Sequence, residues 1–109
     1  MTGACGVLGE TIVKYFAGEG AKVVLMDLER AGETGGRIVR EIRENGGEAI
    51  FLATDVLDRK ILQDCLEKVL QTYGTVDILL NAAGGNMAAA TVPPDKTIFD
   101  LDVDAVRKV

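Results

Sequence analysis

Three short apolar runs, Lys22–Asp27, Ala49–Ala53 and Val76–Asn81, alternate with stretches whose apolar residues recur at helical spacing. That order constrains the architecture strongly, because strands joined by helical connections run parallel and are covered by helices on both faces. The first helical stretch carries Leu8, Ile12 and Phe16 with Val13 beside them, and it stops at Gly18 and Gly20. A second runs roughly from Arg30 to Asn45, with Ala31, Gly35, Ile38 and Ile42 inward and Glu33 and Arg37 spaced for an i,i+4 ion pair. Asn45-Gly46-Gly47 ends it as a left-handed cap. In the third, Asp58 stands ready to cap a helix bearing Leu62, Leu66, Val69 and Tyr73. The apolar runs are nearly continuous rather than alternating, the pattern of strands buried on both faces of a doubly wound α/β sheet.

Composition narrows the class further. A chain of 109 residues that is 48% hydrophobic and 27% charged reads as one soluble globular unit or part of one. No apolar run is as long as a membrane span, and the first residues do not form a charged, apolar, small-residue leader, so no membrane partner is expected. The net charge is −5 and the basic residues are scattered, which argues against a nucleic-acid surface. Cys5 and Cys65 lie far apart and make no C-x-x-C, so a reducing, cytoplasmic setting is expected.

Every loop leaving the C-terminal end of a strand carries Gly, Asp or Asn, and in an open parallel sheet that edge is where ligands bind. Met1 to Gly9 reads as a strand end turning through a glycine-rich loop into a helix, with Ala4-x-Gly6-x-x-Gly9 one methyl away from the dinucleotide fingerprint. Small residues there let backbone N–H groups approach a pyrophosphate at a helix N-terminus. Asp27 falls at the tip of the following strand. A carboxylate in that place accepts from both hydroxyls of an adenosine ribose and repels the 2′-phosphate of NADP, so the expected cofactor is NAD. The plainer alternative for Asp27 is a solvated turn residue ahead of a helix. Cys5 sits near a helix N-terminus, a place that can depress a thiol pKa, but its simpler role is a small residue where glycine is common. Gly32-x-x-Gly35-Gly36 lies inside a helical pattern and lacks the ending of a phosphate loop. Asp100, Asp102 and Asp104 alternate with apolar residues and read as a solvated helix entry rather than a metal site.

Four separated segments, in order, resemble the short-chain dehydrogenase/reductase family over essentially the whole sequence. Thr2-Gly3 through Gly9 is similar to that family's cofactor loop, Asp27 to its ribose-binding acid, Asp55-Val56 to its adenine-contacting pair, and Asn81-Ala82-Ala83-Gly84 to its Asn-Asn-Ala-Gly segment. The Gly-Val-Leu-Gly form of the loop, Gly84-Gly85-Asn86 and the segment from Phe99 to Asp104 resemble the subgroup of D-mannonate oxidoreductases, also called fructuronate reductases. Ala4 and Cys5 stand where that subgroup has glycines, Ala82 where the wider family has Asn, and Met87 where His is expected.

The resemblance implies a partial Rossmann-type sheet and a cofactor site built from Gly3, Cys5, Gly6, Val7, Leu8, Gly9, Asp27, Asp55, Val56, Asn81, Ala82, Ala83 and Gly84. Asn86 and Met87 follow the cofactor loop, a place where they are expected to line a substrate pocket. The resemblance implies a small-molecule substrate, with a sugar acid such as mannonate or fructuronate favoured, and a full-length parent that is a homo-oligomer. The reaction implied is NAD-dependent interconversion of a secondary alcohol and a ketone. The family's Tyr-x-x-x-Lys pair is missing, since Tyr15 and Tyr73 are followed four residues later by Glu19 and Asp77. Residues 1–109 are therefore expected to be the cofactor-binding half of such an enzyme, truncated at both ends, without catalytic residues or a metal. The competing expectation is a non-catalytic or decayed dinucleotide-binding fragment. The first strand of the family's sheet lies between the strands holding Val24 and Ile78. A chain lacking most of it has a gap that rearrangement or another molecule must close, and unpaired buried backbone groups cost roughly 1 to 3 kcal/mol each. Against a total of about 5 to 15 kcal/mol, the chain alone is expected to be marginal or unfolded.

Overall fold

The computed structural model describes residues 1–107 and 109. Helix α1 spans Val7–Gly18, strand β1 Lys22–Asp27, helix α2 Gly32–Glu44, strand β2 Glu48–Ala53, helix α3 Arg59–Tyr73 and the short helix α4 Val103–Arg107. β1 and β2 pair in parallel with Val24 opposite Ile50 and Asp27 opposite Ala53. Continuous apolar strands need cover, and α1 and α2 supply it: Val13 and Ala17 from α1 and Ile38, Val39 and Ile42 from α2 are buried with Val23, Leu25 and Ala49 of the sheet. The class is thus α/β with a parallel sheet, as the alternation implies.

The ends of these elements follow local chemistry. Gly46, at φ +84°, turns the chain after α2, and the amides of Gly46 and Gly47 bond back to the carbonyls of Arg43 and Ile42. The Asp58 carboxylate accepts from the Lys60 and Ile61 amides, capping α3. Gly35 lies so close to the Phe51 ring that a Cβ would stand 2.3 Å from it, so the glycine belongs to the contact between α2 and β2.

Three expectations are corrected. α2 starts at Gly32 rather than Arg30, because Glu29–Ala31 forms a separate 3-10 turn; Ala31 is only partly buried, and Val39 takes a place in the core instead. Arg37 does not pair with Glu33. Its guanidinium reaches across to Glu10 of α1 at 2.7 Å and along α2 to Glu41 at 2.8 Å, a fork that one exposed Glu33 carboxylate does not match. Val76–Asn81 is not a strand. A strand is defined by its ladder, and among the described residues only Thr2 bridges this segment: Thr2 makes isolated parallel bridges to Met26 on one side and Asn81 on the other, with its N–H donating to the Leu80 carbonyl at 3.0 Å. Ile78 and Leu79 are accordingly 63% and 62% exposed.

Candidate cofactor site

Thr2 continues directly into the loop that opens α1. Gly3, at φ +64°, turns the chain there, in a conformation that L side chains rarely adopt. A Cβ on Gly3 would stand 2.5 Å from the Ala82 carbonyl oxygen, and one on Gly9 would stand 2.3 Å from that of Gly3. Both glycines are therefore required by the chain's own packing. Gly6 differs: its φ of −73° is ordinary, the nearest atom to a Cβ there is 3.7 Å away, and it is exposed. Gly6 is the N-cap of α1 and offers no side-chain hydrogen bond to the first-turn amides. Those N–H groups, at the positive end of a 12-residue helix, remain open to an incoming anion, and Val7 and Leu8 beside them are exposed.

Asp27 ends β1 facing this loop. Its Oδ2 accepts from the Cys5 amide at 2.9 Å and its Oδ1 from the Leu28 amide at 2.8 Å, so the carboxylate fixes the loop to the strand end. A carboxylate has about four acceptor sites, so both oxygens keep capacity for hydroxyl donors. Burial, and then the Asp27 and Glu10 charges, push the Cys5 thiol up to about 11. Cys5 is a free, partly buried cysteine at the start of the loop, and its raised pKa is the opposite of an activated thiol's.

The third component arrives from the far end of the sequence. The buried Thr2 hydroxyl accepts from the amides of Ala82 and Ala83, each at 3.0 Å, and binds the segment Asn81–Gly84 to the loop at residues 3–9. Thr2 opens the cofactor-loop motif in the sequence but is not among the residues expected to bind the cofactor. A hydroxyl whose two donors lie 80 and 81 residues away leaves no local periodicity to read. Asp55 and Val56 leave the tip of β2 next to Asp27, as the Thr54 amide bonds to the Asp27 carbonyl at 2.7 Å. The Asp55 side chain turns back on its own loop to accept from the Leu57 amide, and Val56 is exposed.

The structure thus brings the loop at residues 3–9, Asp27 and Ala82–Gly84 into one cluster at the C-terminal ends of the strands, with Asp55 and Val56 on the neighbouring strand end. What the cluster offers is a row of amides, a carboxylate and little side-chain bulk, a donor set suited to a pyrophosphate and a ribose. Among the described residues no group of His, Cys, Asp or Glu is arranged to hold a metal, and no helix is long and apolar enough to cross a membrane.

Known proteins resemble this chain in sequence and in fold. The oxidoreductase UxuB of Bacillus subtilis, itself uncharacterised, is 43% identical over 110 residues, covering 94% of this chain and 39% of that one. A Haemophilus influenzae protein assigned as a D-mannonate oxidoreductase, solved with bound NAD, superposes with a TM-score of 0.85 at 33% identity, covering 97% of this chain and 41% of that one. L-sorbose reductase from Gluconobacter frateurii, complexed with NADPH and L-sorbose, superposes with a TM-score of 0.78 at 26% identity, over 96% of this chain and 37% of that one. The chain therefore spans about two-fifths of the length of the relatives it matches. The sequence profile of the short chain dehydrogenases matches residues 1–109 without a gap at either end, and with the glycine loop, the strand-end carboxylate and the alternating α/β order already in place, the chain belongs to that family.

Proposed function

We propose that residues 1–109 form the NAD-binding part of an oxidoreductase that interconverts a secondary alcohol and a ketone, with a sugar acid such as mannonate or fructuronate as the favoured substrate. The observation that carries the cofactor is Asp27, a carboxylate fixed at the strand tip by two amides and set beside the uncapped amides of α1. In this reading the first-turn amides of α1 hold the pyrophosphate, Asp27 takes the adenosine ribose hydroxyls, and Asp55 with Val56 meets the adenine. Asn81 to Gly84 lies along the nicotinamide ribose. Bound NAD supplies the hydride acceptor, while the residues present bind and orient it. Support for NAD over NADP is the negative charge of Asp27, and the Haemophilus relative holds NAD, whereas the sorbose reductase holds NADPH. The sugar-acid substrate rests on likeness to the Haemophilus protein.

Titration of the chain with NADH and NADPH, followed by nucleotide fluorescence, tests this. NADH is expected to bind at least about tenfold more tightly, because a 2′-phosphate beside Asp27 meets like charge. Asp27→Ser removes both that repulsion and the carboxylate that takes the ribose hydroxyls, and is expected to lower the preference by strengthening NADPH and weakening NADH. Equal affinities in the unaltered chain would overturn the assignment of Asp27. Neither Tyr15 nor Tyr73 is followed by a lysine four residues on. The 109-residue chain is accordingly expected to bind the cofactor without turning over any alcohol.

A further inference from the structure

Cys65 is a buried free thiol that binding of the cofactor, as read above, does not use. It sits on α3 with its Sγ 3.3 Å from the hydroxyl of Thr54, the residue that follows β2. That hydroxyl has one proton and donates it to the Leu52 carbonyl at 2.9 Å. The Cys65 S–H is therefore the donor to Thr54, because the other acceptor near it, the Ala53 carbonyl, is 3.9 Å away. Thr54 also adds a rung beyond the last pair of the ladder, Asp27 with Ala53, as its N–H donates to the Asp27 carbonyl at 2.7 Å. One residue thus joins the tips of both strands to α3. The loop Asp55–Leu57 hangs from this point. Within it the Asp55 Oδ1 accepts from the Leu57 amide at 2.9 Å, and the Asp55 carbonyl accepts from the Asp58 amide at 3.1 Å. Those two bonds are local and fix the shape of the loop; Thr54 and Cys65 fix where it stands.

We propose that Thr54 and Cys65 are positioning residues for nucleotide recognition: their contact holds the loop Asp55–Leu57 where the Asp55 carboxylate accepts from the amino group of the adenine. This rests on the nucleotide-binding reading and extends it to two residues that do not touch the ligand. Thr54 is 3% exposed and Cys65 4%, so both act through Asp55. A carboxylate only accepts, and the N–H donor of an adenine joined to ribose is its exocyclic amino group. A hydrogen bond is lost within a few tenths of an ångström, so the height of the loop decides whether that bond forms. The thiol contact sets this height from beneath, between the strand tip and the first turns of α3.

The experiment titrates the 109-residue chain with NADH and with reduced nicotinamide hypoxanthine dinucleotide, in which a carbonyl oxygen replaces the adenine amino group and faces the carboxylate as an acceptor. Partial unfolding raises both apparent dissociation constants by the same factor, so their ratio reads the site and not the stability. The unaltered chain is expected to favour NADH at least about fivefold. Thr54→Val, which keeps the shape and removes the hydroxyl, and Cys65→Ala are each expected to bring the ratio within about twofold, whereas Thr54→Ser keeps the full preference. An unchanged ratio in Thr54→Val and Cys65→Ala would overturn the proposal. Equal affinities in the unaltered chain would also overturn it and leave the nucleotide reading standing; binding of neither nucleotide would overturn both. Should the variants bind nothing, alkylation of Cys65 by N-ethylmaleimide in the unaltered chain decides, located by peptide mapping so that Cys5 does not count. With each nucleotide at the same multiple of its dissociation constant, global opening protects Cys65 equally. Stronger protection by NADH is expected, and equal protection would overturn the proposal.

Discussion

The Thr2 hydroxyl accepts from two amides some eighty residues further along the chain, and among the described residues no other side-chain hydrogen bond joins the glycine loop to Ala82 and Ala83. Because Thr2 is buried, replacing its hydroxyl by a methyl leaves those donors facing an apolar group. Thr2→Val is expected to cost about 1 to 2 kcal/mol, read as a shift of the urea midpoint in cold buffer, whereas Thr2→Ser retains both bonds and most of the stability. Equal midpoints for the three proteins would mean that water serves these amides as well as Thr2 does. Asp27 also has two uses, since the oxygens proposed to face the ribose already hold Cys5 and Leu28. A change of specificity made at Asp27 therefore also loosens the loop that meets the pyrophosphate. The Cys5 thiol, held protonated to about pH 11, is expected to alkylate slowly at pH 8 even without cofactor.

Between elements, the contact of α1 with α2 is largely electrostatic at its rim. Glu10 accepts from Arg37 and Lys14, and Arg37 and Lys14 both reach Glu41. Hydrogen bonds from Arg37 first, and from Lys14 next, hold the Glu10 carboxyl at about 2 against an ordinary 4.5. A folded-state pKa below the unfolded one stabilises above the unfolded value, and the contribution is lost as pH falls from about 4.5 toward 2. The pair is partly solvated, so the effect is modest and screened by salt. Stability measured over that window is expected to fall more steeply for the unaltered chain than for Glu10→Gln, and the difference should shrink in 1 M salt; parallel curves would show that the network contributes nothing. At the start of α3, Asp58→Ala removes a cap with two amide donors and is expected to cost about 1 kcal/mol by urea titration, while Asp58→Asn costs a few tenths.

For the whole molecule, the radius of gyration of 16.2 Å exceeds the roughly 13 Å of a compact domain of this size. In the segment from Gly85 onward few side chains are buried, and Phe99 is 95% exposed. One face of the sheet is well covered by α1 and α2 while the opposite edge is open, so burial does not greatly exceed the entropy of ordering the chain. The free chain is expected to be marginally stable, with a calorimetric transition of low midpoint and small enthalpy. A midpoint in the ordinary range of about 45 to 65 °C in a monomeric sample would show that the open edge costs less than this.

Local rules place α1, β1, β2, α3 and the caps at Gly46 and Asp58, because a helix face, a buried run and a cap are each decided within a few residues. The sequence by itself also determined the α/β order and the small residues and carboxylate that cluster at the strand ends. Tertiary structure alone decided three things. Arg37 turned from Glu33 to Glu10, since a neighbouring helix offers a better-placed carboxylate. Val76–Leu80 stayed extended without becoming a strand, since a ladder is a property of two segments and apolarity supplies only one. Thr2 became the fastener of the candidate site, since a hydrogen bond across eighty residues depends on where the chain returns.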